Sequence, residues 1–99
     1  MPKQYTVTSL PYTAKVYINN QVLLPAGLVR ALGIEGVRYA DVVIRHGDAV
    51  AVLKCVKLLR TRHTSARQFT IPKGVRGKYG IKPLDEVVIL SIKPAGLGP

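Results

Sequence analysis

The segment Gln21-Val22-Leu23-Leu24-Pro25-Ala26-Gly27-Leu28 returns as Gln68-Phe69-Thr70-Ile71-Pro72-Lys73-Gly74-Val75, at a constant offset of 47 residues. The same register carries Leu32-Gly33-Ile34 over Tyr79-Gly80-Ile81. The glutamine, the proline, both glycines and the final isoleucine are identical, and most other positions stay apolar in both copies. After a small length change, Asp41-Val42-Val43-Ile44 matches Glu86-Val87-Val88-Ile89. Two matches in the same order with the same punctuation identify an internal duplication.

The punctuation has physical meaning. Each β-rich run (residues 21–24 and 67–71) ends at a proline, which suits the first turn of a helix because its missing N–H would have no partner there. The helices are short. Leu28 and Leu32 in one copy, Val75 and Tyr79 in the other, stand four residues apart and form one apolar stripe. Gly33 and Gly80 take the helix-ending position that needs a positive φ, and Ile34 and Ile81 follow where such a cap places its apolar contact. Gly27, Gly74 and Gly77 lie inside the helices at a cost of about 1 kcal/mol each, so packing on a sheet must hold them.

Further strands are expected at residues 15–18, 40–45, 49–59 and 86–92. Gly47 supplies the backbone angles for a tight turn at His46-Gly47-Asp48. Alternation breaks at Lys54-Cys55-Val56-Lys57, which predicts a bulge or bend where a barrel turns a corner. Each unit reads strand, strand, helix, strand. The expected fold is therefore mainly β with two short helices: a six-stranded, pseudo-two-fold barrel of two ββαβ repeats, closed so that no strand edge is exposed. Repeat one covers about residues 14–46 and repeat two about 49–93, with loosely held tails at 1–12 and 94–99.

With 99 residues, 47% of them apolar, the chain is one ordered domain with one core. No apolar run reaches the ~18 residues of a membrane helix. The start, Met1-Pro2-Lys3-Gln4-Tyr5, lacks the apolar centre of a secretion signal, so a cytoplasmic protein is expected. The one cysteine, Cys55, sits in an apolar stretch and is expected to be buried; alone it makes neither a disulfide nor a metal site. The net charge of +10 calls for a polyanionic partner. Residues 1–50 hold five basic and three acidic side chains, and residues 51–99 hold ten and two. No acid lies between Asp48 and Asp85, where an ordinary solvated surface would mix signs.

Phe69-Thr70-Ile71-Pro72-Lys73-Gly74-Val75-Arg76, with Tyr79-Gly80-Ile81-Lys82-Pro83-Leu84-Asp85-Glu86-Val87-Val88-Ile89, resembles the AbrB-type (SpoVT/AbrB) motif of prokaryotic DNA-binding proteins. About twenty residues match well in the second copy and more loosely in the first. Leu84 stands where the family usually has glycine, which implies a different turn, and Glu35-Gly36-Val37-Arg38-Tyr39-Ala40 replaces that turn in the first copy. AbrB-type chains usually carry one copy and pair as dimers. Two copies in one chain are similar to the single-chain cradle-loop, or RIFT, barrels; the strand order is open between RIFT-like packing and a fused swapped-hairpin barrel, and a folded monomer is expected, with a dimer as the alternative. The implied function is DNA binding, as a transcription regulator or chromatin-type factor, with basic residues of the loops and first hairpin along the duplex.

The candidate nucleic-acid-binding residues are Arg60, Arg62 and Arg67, in Arg60-Thr61-Arg62-His63-Thr64-Ser65-Ala66-Arg67, together with Lys57, Lys73, Arg76 and Lys15. Guanidinium groups pair bidentately with phosphate or guanine, and the hydroxyls beside them donate to phosphate oxygens. Lys73 and Arg76 join the set because helix starts favour anions. Lys15 holds, in the first copy, the place of the hairpin cations of the second. His46 and His63 have no metal-ligand spacing and are expected as exposed loop residues. No nucleophile–base pair, dinucleotide fingerprint or P-loop is present, so neither an enzyme nor a cofactor is expected. Gly74-Val75-Arg76-Gly77 spells the GXXG of KH domains, but a strand and a proline precede it rather than a helix. The main alternative is an RNA- or ribosome-binding barrel, since RIFT-type barrels also serve translation. A RIFT-type kinase lacks its phosphate loop here, and an antitoxin would need a toxin-binding tail after the last strand.

Overall fold

The computed structural model describes residues 9–61 and 64–95. Seven strands and two helices follow in order: β1 (Tyr12–Lys15), β2 (Gln21–Leu24), α1 (Ala26–Leu32), β3 (Tyr39–His46), β4 (Ala49–Lys57), β5 (Leu59–Arg60), β6 (Arg67–Thr70), α2 (Lys73–Tyr79) and β7 (Glu86–Pro94). They form two antiparallel sheets, β1-β7-β3-β4 and β2-β6-β5, around one shared apolar core. The ladder does not close into a barrel: the two sheets meet through side chains, and β1, β4, β2 and β5 are edge strands. Closure fails where the chain changes sheet, because the backbone there is spent on turns. Val16 N–H donates to Asp85 O and Leu84 N–H to Val16 O, while Leu58 N–H donates to Arg38 O.

Val22 faces Phe69 in the β2–β6 ladder, and the two residues are 47 positions apart, which is the repeat offset. Opposed residues of an antiparallel pair are related by a local two-fold, so the equivalent strands of the two copies pair with each other across it. Both side chains are fully buried, with Leu24 and Ile71 beside them. The helices end as their glycines require. Gly33 and Gly80 stand at φ 68° and 65°, and Ile34 and Ile81 donate back to Val29 O and Arg76 O and are buried. The copies differ in cover: α1 buries Leu28 and Val29 completely, whereas α2 buries no residue fully.

The long second strand bends as its broken alternation predicts. Ala51 and Leu53 point inward, then the inward set resumes three residues on, at Val56 and Leu58. Lys54 and Cys55 together oppose Asp41 in a bulge, with Cys55 at φ 55°. Asp41 Oδ1 accepts the Cys55 N–H at 2.8 Å. The bulge turns Cys55 outward, so it is exposed rather than buried. After Lys57 the chain crosses to the other sheet as β5, which makes seven strands instead of six.

Three further expectations are corrected. The first strand is Tyr12–Lys15, not residues 15–18, because residues 16–20 form the turn into β2, closed by Asn20 N–H on Tyr17 O. Tyr12 pairs with Ile89 and Pro94 with Ala40, so both expected tails begin inside strands; residues 1–8 and 96–99 lie outside the described residues. No length change separates the copies before their last strands, since β3 starts at Tyr39 and β7 at Glu86, again 47 apart.

Leu84 adopts φ 75° as the third residue of a four-residue turn, after Pro83 and beneath a 3.1 Å bond from Asp85 N–H to Lys82 O. This is the conformation that glycine favours there, so the leucine strains the turn. Leu84→Gly removes a left-handed penalty of about 1–2 kcal/mol, partly offset by the greater freedom of glycine in the unfolded chain. The expected gain is up to about 1 kcal/mol in chemical denaturation, and a loss would mean that the side chain holds the turn.

Two carboxylates tie these irregularities together. The Lys82 N–H, donating to Asp85 Oδ2 at 2.9 Å, holds the Asp85 carboxyl below the usual range against its partial desolvation, and His46 Nε2 at 3.0 Å assists. The Cys55 N–H does the same for Asp41, with Lys54 contributing less. His46 is thus a half-buried partner of Asp85 rather than an exposed loop residue. Both folded pKa values lie below their unfolded ones, so their stabilisation is complete above the ordinary carboxylate range and disappears as pH falls through the lowered values. Denaturation midpoints should drop on acidification below about pH 4, and the Asp41→Asn/Asp85→Asn pair should flatten that drop.

Candidate nucleic-acid interface

A groove of about 490 Å³ opens where the turn after α1, the β4–β5 junction and the start of β6 converge. Its walls carry Arg38, Lys57, Arg60 and Arg67, with Glu35 as the one acid. The β3–β4 register builds half of it: Tyr39 faces Lys57, and the Leu58 N–H bonds Arg38 O at 2.8 Å, so the two cations flank one backbone crossing. Pairing of β5 with β6, Arg60 opposite Arg67, builds the other half.

Arg38, Lys57 and Arg60 are exposed, and among the described residues none has a carboxylate within ion-pair distance. Arg67 differs. It is 8% exposed, and its guanidinium is consumed by backbone: Nη1 donates to Ser65 O at 2.6 Å and Ala66 O at 3.1 Å, and Nη2 donates to Glu35 O at 2.8 Å. It clamps the β5–β6 loop onto the turn after α1. Ser65 Oγ strengthens the clamp by donating to Glu35 Oε2 at 2.6 Å, which also occupies the one acid in the groove. Arg67 is therefore a positioning residue whose charge lies in the groove floor, not an exposed loop arginine.

Of the residues singled out from sequence, Lys57, Arg60 and Arg67 come together here. Lys73 and Arg76 do not, because β6 runs from Arg67 toward α2 and carries them to its far end, where Ile71 N–H bonds Asn20 O, and Lys15 stands on β1 in the other sheet. Lys73 is exposed there, whereas Arg76 is half-buried with its Nε–H on Ile71 O at 2.9 Å. Lys15 pairs with Glu86 across β1 and β7, the position equivalent to Lys57 opposite Tyr39. Arg62 and His63 lie outside the described residues.

Arg38 is the groove cation that the charge run did not reveal. It belongs to the half of the chain with mixed signs, and only the strand register brings it to Lys57. A signal did exist: Arg38 holds the place that Asp85 holds in the other copy, a charge reversal at equivalent turns.

Among the described residues no helix is long and apolar enough to cross a membrane, and no cluster of three or more His, Cys, Asp or Glu side chains stands close enough to hold a metal. Scans of family models, curated proteins and solved structures each find no match to this chain.

The geometry separates the two arginines of the β5–β6 pair. Arg67→Ala removes charged hydrogen bonds from three carbonyls and should lower stability by about 2–3 kcal/mol. Arg60→Ala, at an exposed position, should change it by under ~0.5 kcal/mol. Urea titration of the two variants side by side checks this, and equal losses would refute the clamp.

Proposed function

We propose that this chain binds duplex DNA as a transcription regulator or chromatin-type factor, mainly through backbone phosphates. The observation that carries the reading is the groove in which Arg38, Lys57 and Arg60 stand exposed without carboxylate partners among the described residues. Three such cations fixed by two strand pairings repel one another, and a phosphodiester chain relieves that repulsion while releasing its counterions. The wider field of +10 brings polyanions to the surface rapidly. In this reading the two sheets and their shared core are an open, unclosed relative of the AbrB-type cradle-loop barrel. Supporting it are the strand–helix–strand order shared by the two copies (β2-α1-β3 and β6-α2-β7), the β2–β6 pairing at the repeat offset, and the sheet change in each copy.

Both helices have seven residues and are packed onto the sheets, so neither supplies a base-reading surface. Binding is accordingly only modestly selective for sequence. Fluorescence anisotropy of a labelled duplex, a single strand and a structured RNA across a salt series tests the reading. If roughly four phosphates are neutralised, log K for the duplex falls against log salt with a slope near −3.5. The Arg38→Ala/Lys57→Ala/Arg60→Ala variant should bind weakly and lose about two to three units of that slope. Tighter binding of the structured RNA at every salt concentration would move the assignment to RNA, and a flat salt dependence would remove it altogether.

A further inference from the structure

The duplication builds the groove site twice, and the second version is chemically opposite to the first. Because Lys15 and Lys57 hold equivalent places, Tyr17 stands where Leu59 does and Ile18 where Arg60 does; at the repeat offset, Leu84 stands where Val37 does and Asn20 where Arg67 does. Tyr17, Ile18, Asn19 and Leu84 line a shallow apolar surface at this second crossing. Ile18 is 79% exposed and Leu84 63%, the two most exposed large apolar side chains among the described residues. Leu84 holds this position in a left-handed conformation that glycine would adopt without strain. Backbone strain of this kind clusters at functional sites, and here it holds a leucine out to solvent.

The surroundings indicate the occupant. Lys15 adjoins the turn, Lys82 starts the turn of Leu84, and Lys73 follows the Ile71–Asn20 bond by two residues; all three are exposed. Of the nearby acids, Asp85 is engaged by the Lys82 N–H and His46, and Glu86 faces Lys15. A three-side-chain patch falls far short of the ~20 residues a side that a stable protein interface gathers, which argues against a second copy of the chain. Apolar side chains projecting from a cationic surrounding match what is needed to enter a duplex: the cations hold the flanking phosphates and the wedge partly unstacks a base step.

We propose that Ile18 and Leu84 form an apolar wedge that enters the minor groove at a base step and bends the duplex. This rests on the duplex-binding reading above and assigns the first-copy crossing a task separate from phosphate capture.

The test is energy transfer between dyes at the two ends of a ~25 bp duplex, one version with a central TA step and one with an A-tract. With the wild-type chain, transfer should rise at saturation, and the TA duplex should bind several-fold more tightly, because that step unstacks more easily. The Ile18→Ser/Leu84→Gly variant should abolish the rise and the preference while leaving the salt slope unchanged, since no charge is removed. Leu84→Gly alone preserves the turn and carries the test if the pair folds poorly. Wild-type binding without bending, or bending that survives in these variants, overturns the wedge and leaves phosphate binding intact. Absence of duplex binding removes both. Concentration-dependent association of the free wild-type chain in sedimentation, lost in the variant, would assign the patch to a second copy and overturn the proposal.

Discussion

The contact on which this molecule depends is Val22 against Phe69 in the β2–β6 ladder. The core is one cluster drawn from both copies, and a two-stranded pairing alone is marginal in water. At this contact the equivalent strands of both copies join, and Leu24, Ile71 and the inward residues of the larger sheet close over them. The same pairing orients β6, whose two ends carry the two candidate contact regions in opposite directions. A break here would release the core and separate those regions together.

From that two-fold pairing follows a division of labour between similar backbones. Each copy changes sheet after its first hairpin strand, at residues 16–20 and at Leu58, and each crossing leaves a hollow beside the turn that follows a helix. At one hollow the side chains are Arg38, Lys57 and Arg60 above the Arg67 clamp; at the other they are Tyr17, Ile18, Asn19 and Leu84, and the repeat offset puts Asn20 in the place of Arg67. The clamp and its counterpart differ in kind. Arg67 fills three carbonyls, whereas Asn20 stands at φ 64° with its Oδ1 buried and without a partner among the described residues. A shared fold has thus been given one rigid, charged rim and one apolar rim, which is possible because these side chains face solvent and the core does not constrain them.

Local irregularities make the arrangement work, and they share a device. At Cys55 and at Leu84 the backbone enters the left-handed region without glycine, and each time a carboxylate accepts a nearby N–H: Asp41 from Cys55, Asp85 from Lys82. These charge-assisted bonds offset the strain and fix the bulge and the turn that aim the crossings. His46 adds a link from the β3–β4 turn to the Lys82–Asp85 turn. Only two of the five acids, Asp48 and Glu86, are left without a hydrogen bond from a side chain or backbone group among the described residues.

Much of this is legible in the residues themselves because it depends on local rules. The repeat offset, the proline at each helix start, the glycines at φ 68° and 65°, and the bulge at residues 54–57 all express short-range constraints. Lys57 and Arg60 are visible as candidate contacts because a run of cations without acids is a property of sequence. Side-chain direction and long-range register are not. Cys55 reads as apolar and buried until the bulge turns it out, and Arg67 resembles its neighbours until three carbonyls enclose it. Arg38 reaches the groove only because Tyr39 pairs with Lys57. Sequence alone determined an internal repeat, a mainly β chain with two short helices, and a basic second half. Tertiary structure decided that the sheets remain separate, which cations share a groove and which residues stand exposed opposite them, because burial and pairing across tens of residues depend on where other strands lie.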